Sequence, residues 1–183
     1  MNSELKRAIF LDRDGVINRA FERDGKPFPP KTRGEFDILP GVAGACEKLK
    51  RAGFFLVVAT NQPDVGRGTL QQEIVETIHA YMLKELPIDR VEVCYHAGGG
   101  LSDCDCRKPK PGMLLSAARD LGIVLAQSWM VGDRWRDIDC GCAAGCRTIL
   151  IDYGYDESLR QQPDFRAASL FDAAKIIIQK SGT

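Results

Sequence analysis

Apolar and polar positions fall into two kinds of block along the 183-residue chain. "RAIFLD" (7–12), "FFLVVATN" (54–61), "RVEVCYH" (90–96), "SWMVGD" (128–133) and "RTILID" (147–152) are short runs dominated by apolar residues. Near-continuous runs of this length predict strands, the strongest of them buried on both faces. Between them lie longer stretches with apolar residues at helical spacing. These are "PGVAGACEKLKRAG" (40–53), "TLQQEIVETIHAYMLKEL" (69–86), "PGMLLSAARDLG" (111–122) and "RDIDCGCAAG" (136–145), with "LFDAAKIIIQK" (170–180) as a last helix. In the second, Ile74, Ile78, Tyr81 and Met82 share one face. Pro111 and Gly122 bracket the third as start and stop signals.

Strands alternating with helices predict an α/β fold, Rossmann-like, with a mainly parallel sheet flanked by helices. Right-handed crossovers bring the carboxyl ends of parallel strands to one edge, where ligands bind. Polar residues mark that edge: Asp12 and Asp14 after the first strand, Thr60 and Asn61 after the second, Asp133 after the fourth. The loop after "EVCYH" adds more. Residues 19–39, rich in Pro, Gly and charge, predict a loop over this active edge.

Composition narrows the classes. Length and 44% hydrophobic content suit one domain over 1–183 with a sizeable core. Lys plus Arg and Asp plus Glu both number 25, a balance that argues against a nucleic-acid or membrane-surface partner. "MNSELKRAIF" is too short in apolar residues for a signal peptide, and no run is long enough for a membrane span. A cytoplasmic monomer is the expectation. Seven cysteines in that compartment are expected reduced, as metal ligands or small core residues.

Asp12 and Asp14 end an apolar strand one residue apart. Close carboxylates stay ionised together only if a cation or donors offset them. With Asp133 they ask for a divalent ion, and oxygen ligands suit Mg²⁺. An EF-hand is excluded, because Gly15 follows Asp12 too early and no Glu closes a twelve-residue loop. A carboxylate at a strand tip can attack phosphorus, which makes Asp12 the candidate nucleophile. Asp14 can protonate the leaving oxygen and then activate water. "RKPKPG" (107–112) offers Arg107, Lys108 and Lys110 to the phosphoryl oxygens, and Thr60 and Asn61 offer neutral donors. Taken alone, Thr60 is equally an ordinary strand residue and the basic run equally a solvated loop.

"CYHAGGGLSDCDC" (94–106) holds Cys94, His96, Cys104 and Cys106, a complete tetrahedral set for structural Zn²⁺. No C-x-x-C is present, which weakens a redox reading. The Gly-rich linker lets the loop fold back, and Arg107 and Lys108 follow Cys106 directly. Cys46, Cys140, Cys142 and Cys146 lie on expected helices or a helix end and read as packing residues. His79 reads as an ordinary mid-helix residue.

"FLDRDGVIN", "ATNQ", "CDCRKPKPGM" and "MVGDRWRDI" stand in an order and at intervals that resemble the four motifs of haloacid dehalogenase superfamily phosphatases. The resemblance spans about residues 7–152. It implies Asp12 as nucleophile, Asp14 as acid and base, Thr60 as a phosphate contact and Lys108 as the phosphate-stabilising lysine. Mg²⁺ is then held by Asp12, Asp133 and Asp14, the last through its backbone carbonyl. The zinc loop ending in C-x-C-R-K-P resembles the D-glycero-D-manno-heptose 1,7-bisphosphate 7-phosphatases and the related histidinol-phosphate phosphatases, which implies a small fold without a large cap domain. "INRAF" and "GRG" lean toward the heptose enzymes. That resemblance implies Asn61, Gln62, Arg107 and Arg134 as substrate-binding residues for a small phosphorylated sugar. It places the reaction in the making of activated heptose for bacterial lipopolysaccharide. Pro63-Asp64 departs from the Ser-Gly pair more usual there and adds a negative charge. A zinc-stabilised binding domain without turnover is the alternative of another class.

Overall fold

In the computed structural model, residues 6–23, 26–99 and 104–182 are described. Six strands form one wholly parallel sheet in the order β5-β4-β1-β6-β7-β8. They are β1 (Arg7–Leu11), β4 (Phe54–Asn61), β5 (Arg90–Cys94), β6 (Trp129–Gly132), β7 (Arg147–Ile151) and β8 (Phe165–Ala167). Side chains alternate across the central strand. Ile9 and Leu11 join one apolar cluster, Ala8 and Phe10 the other, and all four are fully buried. Helices α1 (Val42–Arg51), α3 (Gln72–Glu85) and α6 (Leu170–Ser181) cover the first face. Helices α4 (Gly112–Leu121) and α5 (Trp135–Ala144) cover the second. This is why the strand runs carry almost no polar residue before their carboxyl ends.

The chain runs outward from β1 through β4 to β5, then crosses back to β6 and continues to β7 and β8. The order therefore reverses beside β1, and the crevice at such a switch point is where α/β sheets bind ligands. Leu11 lies opposite Val58 on one side and Val131 on the other. That register sets the ends of β1 and β6 level with Ala59 and Thr60 near the end of β4.

Besides the unexpected edge strand β8, three features differ from the sequence expectation. Residues 19–39 are not a plain loop. They hold an antiparallel hairpin, β2 (Phe21–Arg23) with β3 (Lys26–Phe28), followed by a 3-10 turn at Arg33–Glu35. A short helix, α2 (Pro63–Gly66), follows β4 directly. The strand expected at 90–96 stops at Cys94, where the cysteine-histidine loop begins. Part of the glycine linker expected to fold back, residues 100–103, lies outside the described residues. Among the described residues no helix is long and apolar enough to cross a membrane.

Candidate active site

Asp12 follows β1, and its backbone N–H donates to Val131 O on β6 at 3.0 Å. Its side chain is fixed from two directions. Oδ1 accepts from the Arg13 backbone N–H at 2.7 Å and meets Lys108 Nζ at 2.9 Å. Lys108 Nζ also lies 2.7 Å from Asp137 Oδ1, and both side chains are out of solvent. One buried ammonium thus joins two buried carboxylates. Burial opposes its charge, but Asp12 and Asp137 outweigh burial and raise the Lys108 pKa.

Asp133, two residues beyond the level of Val131, completes an acidic cluster. Ligand oxygens of Asp12, Asp133 and Asp137 all lie within 4.8 Å of one another. Among the described residues neither buried oxygen of Asp133 has a hydrogen-bond partner of good geometry. The Tyr155 phenol stands near enough that burial and Asp133 together raise its pKa. Burial, then Asp12 and Asp137, push the Asp133 carboxyl well above its ordinary value. Burial likewise brings Asp12 up to about 6, against the pull of Lys108. Three acids, one lysine and orphaned inward-facing oxygens fit a hard divalent cation. Two glycines permit the approach. Gly15 has φ +88°, and a Cβ there would overlap Asp133 Oδ2; a Cβ on Gly132 would overlap Asp137.

Asp14 is held differently. Arg13 donates to both of its oxygens, through Nη2 at 3.0 Å each and Nε at 3.2 Å. Asn18 Nδ2 donates to Oδ1 at 3.0 Å and Gln62 Nε2 to Oδ2 at 3.0 Å. The Asp14 carboxylate therefore lies outside the metal-fitting acid group, whose third member is Asp137. The sequence alone does not single out Asp137. It sits four residues after Asp133, in the first turn of α5, and accepts from the Arg134 backbone N–H at 3.0 Å.

The expected substrate-facing residues divide. Gln62 is buried and donates to Thr60 Oγ1 at 2.9 Å as well as to Asp14. Asn61 forms a two-way clamp on the Lys108 backbone, donating to its O and accepting from its N–H, both at 3.1 Å. Arg107 lines the cleft and donates to His96 O at 3.2 Å. Arg134 also lines the cleft and pairs with Glu157. Asp64, the unusual acid, pairs with Arg67 at 3.4 Å. The cleft has a volume of about 460 Å³ and opens between Asp12 and the hairpin end at Phe28, Pro29 and Lys31. Its rim carries Arg67, Arg107, Arg134 and Arg136.

Cys94, His96, Cys104 and Cys106 converge, with one ligand atom from each within 4.8 Å of the others. Cys94 Sγ and Cys104 Sγ are 3.8 Å apart. A tetrahedron with metal–sulfur bonds of ~2.3 Å places sulfurs about 3.8 Å apart. His96 Nδ1 lies 3.5 Å from Cys94 Sγ and 3.2 Å from Cys106 Sγ. Burial raises the Cys94 thiol and pushes Cys106 up to about 12, whereas at Cys104 burial is outweighed by hydrogen bonds that lower the thiol, so a bound metal must displace protons chiefly from Cys94 and Cys106. The other four cysteines are free, Cys46, Cys140 and Cys146 buried and Cys142 half-buried.

An aspartate at a strand tip, a lysine-linked acid cluster and a cleft at the switch point are the parts of a phosphate-handling site. Residues 105–173 match the HAD-hydrolase-like family model. The chain is 39% identical over 158 residues to the D-glycero-beta-D-manno-heptose-1,7-bisphosphate 7-phosphatase of Escherichia coli K12, covering 79% of this chain and 78% of that protein. It is 34% identical to the enzyme of the same name from Pasteurella multocida, covering 94% and 97%. The crystal structure of D,D-heptose 1,7-bisphosphate phosphatase from B. bronchiseptica, complexed with magnesium and phosphate, superposes with a TM-score of 0.76. That pair shares 31% identity over 95% of this chain and 99% of the other. The chain belongs to the haloacid-dehalogenase-like hydrolase family, and within it to the phosphatases, which hydrolyse phosphoric monoesters.

Proposed function

We propose that this phosphatase removes the 7-phosphate of D-glycero-D-manno-heptose 1,7-bisphosphate through an aspartyl-phosphate on Asp12. The observation that carries the reading is the pairing of a lysine-held Asp12 with a cleft whose rim keeps Arg107 and Arg136 beside the two arginines that pair with Asp64 and Glu157. Cations beyond the reacting site suit a bisphosphate, which presents two dianions. Relatives at 34–39% identity bear the heptose bisphosphatase name, and a neighbour holds magnesium and phosphate, which supports both parts of the reading.

Asp12 attacks phosphorus, its carboxylate oxygen forming the new bond as the bond to the sugar oxygen breaks. Asp14 gives a proton to that leaving oxygen. Water then attacks the acyl phosphate, passes a proton to Asp14 and frees inorganic phosphate and Asp12. Lys108 offsets charge on Asp12 and on the transferring oxygens, and Asn61 fixes the backbone from which it projects. Thr60 accepts from the Gln62 amide that also donates to Asp14, and its hydroxyl is offered to the phosphoryl group. Asp12, Asp133 and Asp137, with the Asp14 backbone carbonyl, would hold Mg²⁺, which supplies charge neutralisation between carboxylate and phosphate. Cys94, His96, Cys104 and Cys106 would hold Zn²⁺ as a structural clamp on the loop that carries Arg107 and Lys108.

Steady-state phosphate release from a panel including heptose 1,7-bisphosphate and histidinol phosphate tests the assignment. The bisphosphate should give the highest kcat/KM by at least about tenfold, the value of one well-placed charged contact. A preference for histidinol phosphate would transfer the chain to that relative's reaction.

A further inference from the structure

His79 takes no part in the chemistry above, yet it is buried in α3 and meets the arginine that holds Asp14. Its Nε2 lies 3.1 Å from Arg13 Nη1. Arginine carries five donors and no acceptor, so His79 Nε2 must be the acceptor and its proton must sit on Nδ1. Arg13 itself is fully buried, and its other face grips both oxygens of Asp14. A buried guanidinium is held where its hydrogen bonds are satisfied on every side. Burial and the neighbouring Arg13 charge push the His79 pKa down to about 4, which keeps the acceptor free of a proton at neutral pH.

We propose that His79 is a positioning residue for the reaction, fixing Arg13, and through it the Asp14 carboxylate, in the orientation that serves proton transfer to the leaving group. The relay His79···Arg13···Asp14 reaches from α3 to the loop after β1. It explains why a histidine occupies the buried face of α3 beside Val75, Ile78 and Met82, where an aliphatic residue would pack at no polar cost. Loss of the acceptor leaves one buried N–H of Arg13 Nη1 unsatisfied. The guanidinium then shifts toward another acceptor and takes Asp14 with it.

The inference rests on Asp14 as the acid of a phosphatase, and the test separates the two. Hydrolysis of an aryl phosphate by the unaltered protein checks the phosphatase reading alone, because its leaving oxide needs little protonation. His79→Leu should lower kcat for a sugar phosphate at least about tenfold more than kcat for the aryl phosphate, a part of the range for general acid catalysis. His79→Gln, whose amide oxygen can accept from Arg13, should recover most of that selective loss. Should His79→Leu fail to fold, His79→Met keeps the bulk with only a weak sulfur acceptor and carries the same comparison. The unaltered chain has two histidines, so ¹⁵N NMR can read each ring separately. The expected His79 signal shows a bare Nε2 and a protonated Nδ1 at neutral pH. A protonated Nε2, or equal losses on both phosphates in the folded Leu or Met variant, would overturn the proposal.

Discussion

Replacing Lys108 with methionine removes the ammonium that joins two carboxylates while keeping most of the side-chain volume. The ammonium lies 2.9 Å from Asp12 Oδ1 and 2.7 Å from Asp137 Oδ1, with no more than a tenth of any of the three side chains exposed. Breaking a buried pair by deleting one partner costs about 3–5 kcal/mol. For a chain of this length that corresponds to a fall in Tm of about 6–20 °C. The penalty should depend on pH with a fixed sign. In the parent protein without magnesium, Asp12 is raised from 3.8 to about 6. Its contribution to stability is therefore fullest below 3.8 and is lost as pH rises through about 6, a change of about 3 kcal/mol. Without Lys108 the upper end of that window moves to higher pH, because the chief group favouring the ionised acid is gone. Urea unfolding of Lys108→Met and parent between about pH 5 and 8 measures this. Any divalent cation at the acid cluster is removed by dialysis without a strong chelator, which spares a metal held by the cysteine-histidine site. The gap should widen as pH rises and narrow when excess Mg²⁺ is added. A gap under about 1 kcal/mol at pH 8, or one that widens on acidification, would refute the account of the cluster. In the same variant kcat should fall about 10²–10³-fold on sugar and aryl phosphates alike.

Arg107→Ala should raise KM strongly for a sugar bisphosphate and much less for a small aryl phosphate, as steady-state kinetics on both substrates will show; equal damage to the two would place Arg107 at the reacting phosphate. Cys104→Ser should lower bound zinc from about one per chain toward none and reduce kcat indirectly by loosening Arg107 and Lys108. Metal analysis paired with kinetics measures both, and a parent protein without zinc, never exposed to chelator, would contradict the four-ligand site.

The core strands were legible because burial on both faces writes itself as apolar runs, and the helix ends because Pro111 and Gly122 mark them. β8 was not legible: "FRA" is three residues long, sits at the sheet edge and buries none of them fully. The hairpin in 19–39 was hidden by the Pro, Gly and charged residues around it. Within the site, residue type told less than direction. Asn61 and Gln62 stand at a strand end where substrate contacts are expected, but their amides bind the Lys108 backbone and Asp14. Asp137 lay inside "MVGDRWRDI" and was passed over in favour of Asp133. Arg13 carries no signal of its own in the sequence, since arginine is almost never fully buried unless paired, and its burial follows from Asp14 and His79. The convergence of Cys94, His96, Cys104 and Cys106 was legible because all four ligands lie within one short segment.

Phosphorus NMR of heptose 1,7-bisphosphate turning over on the unaltered protein and on Asp12→Asn tests the central claim most directly. The unaltered protein should convert the 7-phosphate signal to inorganic phosphate while the 1-phosphate signal persists on the sugar, and Asp12→Asn should leave both signals in place. Loss of the 1-phosphate first, or substantial phosphate release by Asp12→Asn with contamination excluded, would contradict the account.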